Sequence, residues 1–415
     1  MSPIRRFNIA LCAAAFQAAA LGLGGCSGTA GVKAPNTASI APPSAVAEAK
    51  SQKIDSVKIA LLLPLSGPGE PAEIARAMKQ AAEMALFDAN DPAVQLISKD
   101  DGGTPEGAAR AAEAAIAEGA EIVLGPLFAK SVTAIAPAAR EAGVPIVAFS
   151  NDPNVAGNGV YLMSFLASME VDRVVSYAAS KGKRRFAALI PASPYGQTVE
   201  PAFRKAVAKA QGEIVRLESY PADASGMLAA AKRIVTAISE ADKAGSPVDA
   251  LFLPAGEETI SQLGPLLTYS GIDGRKVKLI GTSVWDMPVI ARNDALIGGW
   301  YAASDPSAGA QFSDRYRTTY HRDAPRLAKL AYDAMTVALS LSKGPKGERY
   351  SAANLTRPEG FAGVDGPIRL DANGLTERGL AVLEIEKFRP AVIDNAAQPS
   401  ATGKVSATPG LAKFF

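Results

Sequence analysis

Two continuous apolar runs, each ending in a Pro/Gly loop, constrain this chain more than any other feature. The first reads Lys58-Ile-Ala-Leu-Leu-Leu-Pro-Leu-Ser-Gly67, and the second Glu121-Ile-Val-Leu-Gly-Pro-Leu127. Neither alternates polar with apolar residues, so neither suits a sheet with one wet face. Both suit parallel strands covered on both sides. An Ala-rich, helix-like segment follows each run. The two loops then lie together at the carboxyl ends of neighbouring strands, where open α/β sheets bind ligands.

The alternation continues along the chain. Strands are expected at 57–65, 94–99, 121–125 and 145–149, with helices at 72–90, 105–118 and 132–142. A second series follows residues 159–164. It has helices at 169–180, 199–210, 226–241 and 258–269, and strands at 186–190, 213–220, 250–253 and 277–281. Strands alternating with helices across short loops predict α/β architecture with doubly wound parallel sheets, and two such series predict two similar lobes. The closing part departs from this, with a strand at 298–303, a helix at 324–342 and a hairpin. The hairpin pairs 366–370 with 380–388 around Asp371-Ala-Asn-Gly374, whose Asn-Gly signals a tight reversal.

The ends read differently. Arg5 and Arg6 precede a short apolar run that finishes in Leu23-Gly24-Gly25-Cys26, the pattern of a charged, apolar and small-residue export signal. It resembles a bacterial lipoprotein signal, which implies cleavage after residue 25 and a lipid on Cys26. Ser27 stands where retention signals carry Asp, which favours an outer-membrane location facing the periplasm. Cys12 lies inside the segment expected to be removed, so no thiol remains for a disulfide. Residues 26–56, rich in Ala, Pro, Ser and Thr, read as a disordered tether, and 391–415 as a disordered tail.

The order of the pieces between these ends resembles the type I periplasmic binding proteins of the leucine/isoleucine/valine-binding group. The segments that carry the likeness include 58–67, 100–103, 122–127, 145–152, Pro194-Tyr-Gly196, 251–256, Tyr332-Asp-Ala334 and Gly366-Pro-Ile-Arg369. The resemblance implies two lobes joined by crossing hinge strands around a ligand cleft. Residues 57–165 with 300–350 are expected in the first lobe, and 166–299 with 351–390 in the second. The Leu-Leu-Pro-Leu-Ser-Gly and Gly-Pro-Leu loops look most like the penicillin-binding-protein-activator lipoproteins, although the helical-repeat domain of the best-known members has no counterpart here.

Catalytic chemistry is poorly provided for. His321 is the only histidine, Gly281-Thr-Ser-Val-Trp285 lacks the last glycine of a nucleophile elbow, and no phosphate-binding Gly-rich motif follows a strand. His and Cys are too few for a zinc site, so neither a catalytic residue nor a cofactor is expected. A net charge of +2 lacks the footprint of a nucleic-acid binder. Asp100-Asp101 reads as a strand-end turn more readily than as paired carboxylates.

Candidate ligand contacts fall at strand ends. From the first lobe these are Ser66, Gly125, Lys130, Ser131, Ser150 and Asn151. Amides near Ser131 suit an anion, or Ser131 simply caps a helix. From the second lobe they are Tyr195, Glu257 and Trp285, with Ser283 and Asp286 ranked behind. Tyr195 equally suits a helix-start staple, Glu257 a solvated first-turn acid and Trp285 a core position. Amino-acid receptors carry hydroxyl-rich loops where this chain has Gly-Pro-Leu-Phe-Ala-Lys130 and Ser-Asn-Asp-Pro153. That departure favours a regulator of a peptidoglycan synthase over a receptor that docks on an ABC permease for branched-chain or related amino acids.

Overall fold

The computed structural model describes residues 56–396 apart from Pro68 and Pro288 and the side chains of Glu257, Glu258 and Thr268. The described residues belong to one compact unit. Cys26, the expected signal 1–25, the tether through residue 55 and the tail from 397 lie outside them.

The first lobe starts with β1 (Val57–Leu63), α1 (Glu70–Ala89), β2 (Val94–Asp100), α2 (Pro105–Ala117), β3 (Ile122–Leu124), α3 (Ala129–Glu141), β4 (Ile146–Ala148) and β5 (Val160–Leu162). The five strands form a parallel sheet ordered β2-β1-β3-β4-β5. The order reverses beside β1, so the loops after β1 and β3 flank the switch point. Both opening runs are buried as strands apart from half-buried Lys58, with Ala60 and Leu62 facing α2 and α3 while Ile59, Leu61 and Leu63 face α1.

The second lobe continues through α4 (Ala167–Ser180), β6 (Arg185–Pro191), α5 (Pro194–Lys209), β7 (Glu213–Tyr220), α6 (Ala224–Lys243), β8 (Ala250–Phe252), α7 (Glu257–Tyr269), β9 (Lys278–Gly281) and β10 (Trp300–Ala303). The chain then returns through α8 (Ala310–Tyr320), α9 (Ala328–Leu341) and α10 (Ala352–Leu355). It closes with β11 (Phe361–Gly363), β12 (Gly366–Leu370), β13 (Thr376–Arg378), β14 (Ala381–Glu386) and β15 (Arg389–Asp394). The second sheet runs β15-β14-β10-β9-β8-β6-β7, parallel from β10 to β7 with two antiparallel strands at its edge.

The pairing divides the closing part differently from the expected partition. β10 lies between β9 and β14 in the second sheet, while α9, Tyr350, Leu355 and strands β11 and β12 pack into the core of the first lobe. The expected hairpin is also redrawn. Its turn at 371–374 stands, but β12 pairs with β13, and β14 goes to the other sheet. The run Ala381-Val-Leu in β14 is fully buried and requires cover on two faces, which a surface hairpin does not offer. β15 extends order to Asp394, inside the expected tail, and its Pro390 sits on the sheet edge, where proline is tolerated.

Three short segments, 163–166, 304–309 and 379–380, therefore carry the chain between the lobes. The first leaves the carboxyl end of β5 and the second that of β10. The carboxyl ends of both parallel sheets thus face the same crossing region.

Candidate functional site

Local chemistry sets where each rim begins. Asp100 at the end of β2 accepts hydrogen bonds from the amides of Leu65, Ser66 and Gly102 at 2.9, 3.3 and 3.0 Å. Burial pushes its carboxyl up, but the Ser66 hydroxyl together with these amides outweighs that and holds it below the usual carboxylate range. Asp101 is buried, accepts from Gly103 at 2.7 Å and is pushed up by burial. The acid pair thus builds the turn that fixes the loop of Ser66. Ser66 itself is exposed.

Gly125 is buried with φ +99°, and a Cβ there would lie 2.1 Å from the carbonyl oxygen of Leu62. Its role is to let β3 lie close to β1. Lys130 is exposed in the first turn of α3, where Phe128 offers no side-chain cap. Ser131 is fully buried and its hydroxyl has no hydrogen-bond partner. Ser150 is buried and accepts from the amide of Asp152 at 3.2 Å, while Asn151 is exposed.

The second lobe presents side chains instead. Ser193 caps α5 by accepting from Gly196, and Pro194 occupies its first turn. Tyr195 then meets Thr282 after β9, hydroxyl to hydroxyl, at 2.7 Å. Burial raises the phenol to about 12, with the Thr282 bond opposing, so it stays protonated at physiological pH. Ser283 donates its hydroxyl to Glu170 Oε1 at 2.6 Å and its amide to Oε2 at 3.1 Å. Glu257 opens α7. Asp286 accepts from Tyr301 at 3.1 Å.

Trp285, expected at the opening, is instead in the core. It is 1% exposed, tilted against Tyr301 at 6.4 Å, and packed so tightly on β9 that a Cβ on Gly281 would fall 2.4 Å from its ring. It belongs to the same buried cluster as Leu279, Tyr301 and Leu383 of the second sheet.

One side chain joins the lobes here. Arg326, just before α9 in the first lobe, donates Nη1 to Ser283 Oγ at 2.9 Å and Nη2 to Glu170 Oε1 at 3.3 Å. Phe165 on the first crossing supports it, with the guanidinium 4.0 Å from the ring centroid, and Arg378 lies 4.9 Å from the same centroid. Arg378 is anchored to buried Asp333 at 2.9 Å. Sequence reasoning missed Glu170, Arg326, Thr282 and Phe165. Glu170 reads as an acid in a helix's first turn, and Arg326 sits in the polar stretch His321-Arg-Asp-Ala-Pro-Arg326, with no signal beyond Phe165 standing in a crossing segment.

A two-lobed α/β domain with three crossings, both carboxyl edges turned inward and polar side chains meeting between them, is the architecture of a hinged ligand-binding module. A family model described as "Periplasmic binding protein" matches residues 56–389, and the chain belongs to that family. It is similar to a structure described as a candidate branched-chain amino acid ABC transporter from Rhodospirillum rubrum, at 21% identity and TM-score 0.71. That match covers 81% of this chain and 100% of the other. A branched-chain amino acid transporter substrate-binding protein from Streptococcus pneumoniae, in complex with isoleucine, matches at 20% identity and TM-score 0.55, over 81% of this chain and 99% of that one. A solute-binding protein of an ABC transporter from Rhodopseudomonas palustris, in complex with 3,4-dihydroxybenzoic acid, matches at 18% identity and TM-score 0.55, over 83% and 99%. Among curated proteins, the chain is 24% identical over 241 residues to an uncharacterized protein of Rickettsia prowazekii, covering 57% of this chain and 62% of the relative. The chain thus spans less than two thirds of that relative's length. No helix among the described residues is long and apolar enough to cross a membrane.

Proposed function

We propose that this chain is an exported, lipid-anchored solute receptor that closes its two lobes on a small organic carboxylate and presents the closed form to an ABC permease. The observation that carries this reading is the meeting of polar side chains from both lobes beside the crossings, with Arg326 of one lobe reaching Ser283 and Glu170 of the other. The solutes bound in the similar structures, isoleucine and 3,4-dihydroxybenzoic acid, share a carboxyl group. No catalytic step and no cofactor belong to this reading. Cys26 supplies the anchor, and the outer-membrane position that Ser27 favours belongs with the second reading below, since an ABC permease lies in the inner membrane.

Calorimetric titration of the full-length protein in detergent with isoleucine, benzoate and 3,4-dihydroxybenzoate tests the receptor role. Micromolar heats with at least one acid are expected, and silence with all three would sink it. For the anchor, Cys26→Ser should abolish incorporation of labelled fatty acid, and labelling that persists would remove Cys26 from the account.

A second reading, regulation of a peptidoglycan-synthesising penicillin-binding protein, is favoured by the loop after β3. It turns Phe128 and Lys130 outward while the Ser131 hydroxyl lies inside. Stimulation of glycan-strand synthesis by the purified protein, lost in Phe128→Ala, would support it, and an unchanged synthesis rate would count against it.

A further inference from the structure

Arg326 is a spare cation. Glu170 is its only partner in an ion pair among the described residues, although the Asp286 carboxyl also feels its charge, and the Glu170 carboxylate has other partners. Ser283 already engages both Glu170 oxygens, at 2.6 Å through its hydroxyl and 3.1 Å through its amide. The Arg326 contact with Glu170, at 3.3 Å, is longer than the usual 2.7–2.9 Å range of charge-assisted hydrogen bonds. Exposure divides the pair in the same way, with 6% of the Glu170 side chain accessible against 46% of Arg326. A guanidinium carries five N–H donors and keeps its charge at any physiological pH. Here one donor on each of Nη1 and Nη2 is engaged, and among the described residues Nε engages none.

The group is also held in place for use. Phe165 lies under the guanidinium at 4.0 Å, and Ser283 fixes one edge at 2.9 Å. A planar cation stacked on an aromatic ring loses little freedom when a second planar, charged group docks on its open edge. The Tyr195–Thr282 hydroxyl pair adjoins the same rim, and the phenol feels the charges of both Glu170 and Arg326.

We propose that Arg326 is a specificity-determining residue of the binding site, receiving the anionic group of the ligand while Ser283 and Phe165 hold the guanidinium in register. The ligand class is a small molecule bearing a carboxylate, and the acid is preferred over its neutral amide through this contact. Glu170 tunes the site in the opposite sense, because its negative charge competes with the incoming anion for the same cation. The inference rests on the receptor reading above.

The test is calorimetric titration of the full chain with isoleucine, benzoate and 3,4-dihydroxybenzoate, each paired with its amide. In Arg326→Gln the acid that binds wild type should weaken about 30-fold, the scale of one lost charge-assisted hydrogen bond, with the amide changed less than about twofold. Arg326→Lys keeps the charge but not the planar fork, and should weaken the acid about fivefold while preserving its preference over the amide. Should Arg326→Gln fail to fold, the lysine variant carries the test alone. Glu170→Gln should tighten the acid severalfold, whereas a contact that merely ties the lobes together predicts weaker binding in that variant. Unchanged acid affinity in Arg326→Gln, equal losses for acid and amide, or weaker acid binding in Glu170→Gln overturns the proposal and leaves the receptor reading standing. A wild-type protein that binds none of the acids overturns both.

Discussion

The rims of the two lobes are built from different materials. The first is made of backbone. Three amides converge on Asp100, Gly125 lies against the Leu62 carbonyl, and Ser131 and Ser150 are turned inside. The second is made of side chains, with Tyr195 on Thr282 and Ser283 on Glu170. A backbone rim gives shape and little chemical variety, because amides are the same in every sequence. A side-chain rim gives chemistry that a single substitution can change. The contrast assigns rigidity to the first rim and chemical variety to the second, with Arg326 as the first-lobe side chain that reaches across to the second.

Substitutions can break or sharpen this contrast. Gly125→Ala has the largest expected effect, about 3 kcal/mol or more, because it combines a positive φ with a Cβ 2.1 Å from a backbone oxygen that cannot yield. A denaturant midpoint close to wild type would show that the first rim is not backbone-locked. Ser283→Ala should cost about 2 kcal/mol by removing one of the bonds that satisfy buried Glu170, and would sharpen the side-chain account if urea melts confirm it.

Tyr195→Phe should cost about 1 kcal/mol, with a pH signature. The phenol is raised from 10.0 to about 12 in the folded protein, so its contribution is complete below pH 10 and is lost as pH rises through the folded value. Wild type should therefore lose more stability than the variant between pH 10 and 12, and parallel curves would contradict the burial of the phenol. Lys130→Ala should change thermal stability by less than about 0.5 kcal/mol, since its side chain is exposed at the backbone rim.

The fold was legible because its signals are local. Uninterrupted apolar strands, Pro at helix starts in α2 and α5, and the Asn-Gly turn each follow from neighbouring residues. What escaped was long-range. Whether 381–386 folds back on β12 or crosses to β10 depends on which sheet has an open edge, and no residue in the strand records that. The site divides the same way. Tyr195 was readable from Pro-Tyr-Gly at a helix start, and Ser283 was at least in view. Arg326 and Glu170 are 156 positions apart and ordinary in their own surroundings, and only the closing of the chain brings them together. Trp285 misled because a residue shortly after a strand end can lie beneath the sheet as easily as above it.

The interleaved path of the chain also sets a timetable. All five strands of the first sheet and α1 have appeared by residue 162, but Leu330, Ala334 and Met335, which complete the core cluster of Ile59, Leu61 and Leu63, arrive only after the whole middle of the protein. A polypeptide threaded through a translocation pore from its N-terminus therefore carries an incompletely covered apolar face for some 170 residues of transit, roughly ten seconds or more at typical synthesis rates. Its passage demands either a chaperone that shields this face or a chain that remains extended until α9 emerges.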